Sequence, residues 1–163
     1  MKKVIIGLSV ALLAFGAMGC SKDKDTKSAA NSVETLAQIE VKSAIHDAKA
    51  ADPTQALTCK YVLVSGANGV YSVSKAELKT SGSCNFADLQ GKAAAAGSLD
   101  AAKAAQVVAA VADSSLPSAA KDAFGCTVYN IKTNARKVGI QDCTNGQGVG
   151  NAAAKSVTAI LGL

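Results

Sequence analysis

Cys126-Thr-Val-Tyr-Asn-Ile-Lys-Thr-Asn-Ala-Arg-Lys-Val-Gly-Ile-Gln-Asp-Cys143 is the most strongly patterned stretch of this chain. A two-residue loop at Asn134-Ala135 makes it a β-hairpin. Thr133 then faces Arg136, Ile131 faces Val138, Tyr129 faces Ile140 and Cys126 faces Cys143. The closing pair of such a hairpin is hydrogen-bonded, and the two kinds of pair alternate outward. Cys126 and Cys143 fall on a non-hydrogen-bonded pair, with Cα atoms about 4.5 Å apart and within disulfide reach. The same register gathers Tyr129, Ile131, Val138 and Ile140 on one apolar face. Asn134-Ala135 lacks the glycine that a type I′ turn prefers, and a longer loop would move the register.

Upstream, Leu57 to Val64 reads as a strand, with Val62 and Val64 on one face and Tyr61 and Leu63 on the other. Asn68-Gly69 is a strong turn signal, and Val70 to Ser74 returns as its partner. The remaining segments read as helices. Asn31 or Ser32 caps a first helix to about Ala50, closed by Asp52-Pro53, with Val33, Ala37, Val41, Ala44, Ile45 and Ala48 on one face. Phe86 to Ala96 and Leu99 to Ala112 are alanine-rich and divided by Gly97-Ser98. Pro117 starts a short helix ending at Gly125, and Asn151 opens the last one, which carries Val157, Ile160 and Leu161 on one side. The predicted class is α+β: a small antiparallel sheet of two β-hairpins packed with alanine-rich helices and braced by two disulfides.

The chain opens with Lys2-Lys3, an apolar run from Val4 to Met18, and Gly19-Cys20. That is the layout of a secretory leader, too short for a stop-transfer span. Ala17-Met18-Gly19-Cys20 resembles the lipobox of bacterial lipoproteins, with Ala17 where that family usually carries a bulky aliphatic residue. The resemblance implies that residues 1–19 are removed and that Cys20 carries the lipid. Two or more acyl chains give stable anchoring to a membrane. Ser21 in place of the family's Asp retention cue leans towards the outer membrane, facing the periplasm or the surface, if the organism is Gram-negative. Residues 20–31 are polar and lack large apolar side chains, so they read as anchor and tether. Residues 32–163 form the single domain.

Export gives the other cysteines their meaning. Cys59, Cys84, Cys126 and Cys143 are an even set in an oxidising compartment, expected to form two disulfides. Three connectivities exist, and Cys59–Cys84 with Cys126–Cys143 is favoured. Zinc has no support, since there is no Cys-x-x-Cys and one histidine. Loss of the leader lowers the formal charge from +5 to +3, a mild and scattered excess that gives no ground for nucleic-acid binding.

No catalytic set emerges. His46 lies off the apolar stripe with no nominated nucleophile. Ser118-Ala-Ala-Lys121 and Ser72-Val-Ser-Lys75 fit Ser-x-x-Lys but lack the companion motifs of that chemistry. Gly146-Gln-Gly148-Val-Gly150 departs from both nucleotide fingerprints, with Asn151 and Ala154 where glycine is needed. Lys132, Arg136 and Lys137 cluster at the hairpin tip, with Lys132 facing Lys137, and form a candidate contact for an anionic lipid or wall polymer.

The expected function is therefore a non-enzymatic, lipid-anchored envelope protein without a cofactor, docking onto a protein or polymer of the envelope. The alternative is a carrier or inhibitor module for a small apolar ligand. An exposed apolar patch of several hundred Å² would favour docking, and a pocket of roughly 300–1,000 Å³ would favour the carrier.

Overall fold

A computed structural model describes residues 33–46 and 56–163. The expected leader (1–19), Cys20 with its tether (20–31) and the expected helix stop at Asp52-Pro53 lie outside the described residues. Val33–Leu163 form one compact unit.

Its frame is a single six-stranded sheet. The strands are β1 (Leu36–His46), β2 (Leu57–Ala67), β3 (Val70–Thr80), β4 (Ala94–Leu99), β5 (Cys126–Thr133) and β6 (Lys137–Cys143). Their order is β4-β3-β2-β1-β5-β6, and every neighbouring pair is antiparallel. Three short helices accompany them: α1 (Phe86–Lys92), α2 (Ala101–Ala110) and α3 (Asn151–Leu161).

This corrects the α+β expectation of two hairpins packed with helices: strands hold 44% of the described residues against 23% for helices. The largest correction is at residues 36–46, expected to be helical and observed as the strand that joins the two hairpins. Ile39 lies between Val64 and Ile131, and Val41 between Val62 and Tyr129. Without β1 each hairpin would present a bare edge and an unmatched apolar face. Burial of Ile39 and Val41 outweighs the helix preference of the Glu, Gln, Lys and Ala around them. The second correction is at Ala94–Leu99, where alanine pairs with β3 instead of extending α1. Gly97, with φ +139°, is ill suited to a helix, and Leu99 anchors the strand by burial. The third is at residues 117–125, which form no helix.

The upstream hairpin keeps its predicted turn and the downstream one its predicted register. Ala67 faces Val70 across Asn68-Gly69, whose φ values of 55° and 81° are those of a type I′ turn. Both strands run further than expected, to Ala67 and from Val70 to Thr80. In the downstream hairpin Ile131 faces Val138, Tyr129 faces Ile140 and Cys126 faces Cys143. The bridges Cys59–Cys84 and Cys126–Cys143 are both formed, with Cα separations of 5.6 and 4.0 Å. The glycine-free tip is held by hydrogen bonds. Thr133 Oγ1 accepts from the amides of Ala135 and Arg136, and Asn134 exchanges backbone and side-chain bonds with Thr35.

The sheet has two covered faces. On the inward one, Val62, Val64, Ile39, Val41, Tyr129, Ile131, Val138 and Ile140 meet Ala104, Val107 and Val111 from α2 and its C-cap, and Ala154 and Val157 of α3. Asp100 caps α2 by accepting from Lys103 N at 2.7 Å. On the outward face Leu89 of α1 meets Leu57, Cys59 and Tyr61 beside the first disulfide.

Candidate functional site

The inward face is organised in cross-strand rows. One runs Val73, Val64, Ile39, Ile131, Val138, and the next runs Lys75, Val62, Val41, Tyr129, Ile140. The third changes character: Glu77, Lys60, Ser43, Thr127, Asp142. Period 2 brings these polar side chains to the same face as the core above them. The helices cover the apolar rows, and a cup of about 510 Å³ opens where the polar row begins.

Val41, Ile45 and Val62 give the cup its apolar surface, while Ser43, Thr58, Thr127, Tyr129 and Thr158 supply hydroxyls. Leu163 and Thr158 bring the C-terminal end of α3 to its wall. Tyr129 donates to Thr158 Oγ1 at 2.5 Å, because the Thr158 hydroxyl itself donates to the Ala154 carbonyl at 2.9 Å. Burial pushes the Tyr129 phenol above its usual range, and the Asp142 charge adds to this. Tyr129 is thus a neutral donor near pH 7. Thr127 donates to Ser43 Oγ at 3.1 Å.

Three charged residues divide the polar row. Lys60 sits 3.7 Å from Glu77, and both side chains are more than half exposed, so the pair is loose. Asp142 stands at the other end, with no cation in ion-pair range among the described residues. From β2 to β6 is three strand spacings, which places these ends roughly 14 Å apart. The Cys126–Cys143 bridge pins the corner beside Asp142.

His46 ends β1 at the cup and packs edge-on against the Phe124 ring at 4.6 Å. The contacts of Ser43 run to Thr127, so the described hydrogen bonds join it to neither an imidazole nor a carboxylate. The nucleophile–base contact that covalent catalysis uses is not among these described bonds.

The three cations of the hairpin tip part company. Arg136 is engaged within the fold: Nε meets Glu34 Oε1 at 3.1 Å, and Nη1 and Nη2 donate to the carbonyls of Asp113 and Val111. It caps the C-terminal end of α2 and ties it to the hairpin. Lys132 and Lys137 face one another and are exposed. Cys20 lies outside the described residues.

The cup as a whole is not legible in the sequence, because residues 36–46 carry helix-forming residues at helical spacing. Its one legible signal was Thr127 opposite Asp142 in the hairpin register, polar residues on the face that carries Tyr129 and Ile131. No protein-family model, curated protein or solved structure matches this chain.

Proposed function

We propose that this chain is a lipid-anchored, non-enzymatic protein of the cell envelope whose domain binds a small amphipathic molecule in the cup. The observation that carries the reading is the 510 Å³ space lined by both apolar side chains and hydroxyls. Ligand sites of small molecules have this size and this mixture. The two disulfides accord with an oxidising compartment. The lipobox-like Ala17-Met18-Gly19-Cys20 supports the anchor. Titration of octan-1-ol while amide NMR shifts are followed tests the cup: saturable shifts at Ser43, Thr127 and Thr158 are expected, and Ile45→Trp, which fills the space, abolishes them. Shifts that survive Ile45→Trp would place the binding elsewhere. Labelled palmitate incorporation that is lost in Cys20→Ala tests the anchor.

A docking role has one observation of its own. The β6 edge is covered, since Gly139 N donates to the Pro117 carbonyl at 2.7 Å and Gln141 N to that of Val149 at 2.8 Å. The β4 edge pairs with β3 alone and carries exposed alanines without a charge. Such an edge can accept an added strand from a partner. Crosslinking in vivo that is lost on Ala94→Lys with Ala96→Lys would support this role, and capture indifferent to those changes would remove it.

A further inference from the structure

The polar row does more than wet the cup; it gives the cup a direction. Asp142 supplies a carboxylate at the β6 end. At the other end Lys60 borders both the cup and an adjoining groove of about 430 Å³, which Lys75 and Glu77 also line. Two ammonium groups, those of Lys60 and Lys75, thus stand at that end beside the Glu77 carboxylate. Cup and groove share Lys60, Val62 and Leu163, so the two adjoin and together make a trough along the row. A simple anion would meet Asp142, and a simple cation would meet the lysines. A molecule with an ammonium at one end and a carboxylate at the other satisfies both.

We propose that the trough binds a short linear peptide with free termini, its amino end at Asp142 and its carboxyl end at Lys60 and Lys75. This rests on the reading of the cup as a ligand site. Length follows from the sheet: a separation of roughly 14 Å corresponds to about four extended residues at 3.4 Å each. The Ser43 and Thr127 hydroxyls lie between the charged ends, where peptide carbonyls and amides need partners. Val41, Ile45 and Val62 present apolar surface to alternate side chains. Lys60 can take a peptide carboxylate because its present partner, Glu77, is a loose and exposed one.

The test uses the tetrapeptide Ala-Val-Leu-Ala on the intact domain, with binding read by calorimetry and by amide shifts. Free termini are expected to bind best. N-acetylation should weaken binding about tenfold, the scale of one charge-assisted contact. Asp142→Asn should cost the same, and the acetylated peptide should lose nothing further on that variant. C-amidation paired with Lys60→Gln should behave likewise. A dipeptide, too short to reach both ends, should bind more weakly than the tetrapeptide. Equal affinity for the free and doubly capped peptides, or an acetylation penalty unchanged in Asp142→Asn, overturns the proposal. Octan-1-ol serves as the neutral control. If it shifts the cup amides and the peptide does not, the peptide proposal falls while the cup remains a ligand site; if neither does, both readings fall.

Discussion

At the scale of single residues, the side chains that look most available are the ones already used. Arg136 stands at a hairpin tip, yet its guanidinium joins Glu34 to the end of α2. Arg136→Ala should lower stability by about 1.5–3 kcal/mol, the range for hydrogen bonds to a charged group, as measured by urea unfolding. A loss below a few tenths would show that these contacts form without consequence. The Thr133 hydroxyl, more than Arg136, holds the Glu34 carboxyl below its usual range. Stability from Glu34 is therefore present above its ordinary value near 4.5 and declines as pH falls below it. Tyr61 works in the opposite sense. Burial, reinforced by the neighbouring Glu40 charge, pushes its phenol up to about 12 from 10.0. The unfolded chain then releases that proton first, so stability falls as pH climbs from about 10 to 12. Tyr61→Phe should remove this part of the alkaline decline, and an ultraviolet titration of that variant should lack one phenol that ionises only at the upper end of that window.

Elements here owe their form to neighbours as much as to composition. Residues 36–46 and 94–99 contain good helix formers and nonetheless pair as strands, because each completes a ladder that would otherwise end in open backbone. Residues 117–121 give up an expected helix to run over the β6 edge. Gly139 makes that approach possible: a Cβ there would lie about 2 Å from the backbone of Ala119 and Ala120. Gly139→Val should lift the segment away, seen as faster hydrogen exchange at the Gly139 and Gln141 amide positions, with β4 unaffected. Exchange unchanged from wild type would mean the segment can shift without releasing the edge. The bridges act at this scale too. Cys126→Ser with Cys143→Ser opens a link across 17 positions and should cost about 3 kcal/mol of stability.

For the whole molecule, the decisive feature is that α2 and α3 cover only part of the inward face. Across β2, β1, β5 and β6 the two apolar rows become core, and the third adds its polar side chains to the lining of a cup. A ligand that binds only the native cup adds stability by mass action, about 2.7 kcal/mol at a concentration one hundred times its Kd. Thermal unfolding should thus shift upward with the tetrapeptide and stay fixed in Ile45→Trp. Local pattern by itself determined the two hairpins, the register of the downstream one and its Cys126–Cys143 bridge. Alternation, turn chemistry and disulfide geometry act between residues close in the chain, so Cys126 could be set opposite Cys143 from spacing alone. Only the tertiary structure decided that residues 36–46 join the hairpins, that alanines 94–96 form an edge strand, that Arg136 is internal, and that Lys60 and Asp142 face one trough. Each depends on partners distant in sequence. Burial between such partners outweighs local propensity, which differs among ordinary residues by less than about 1 kcal/mol.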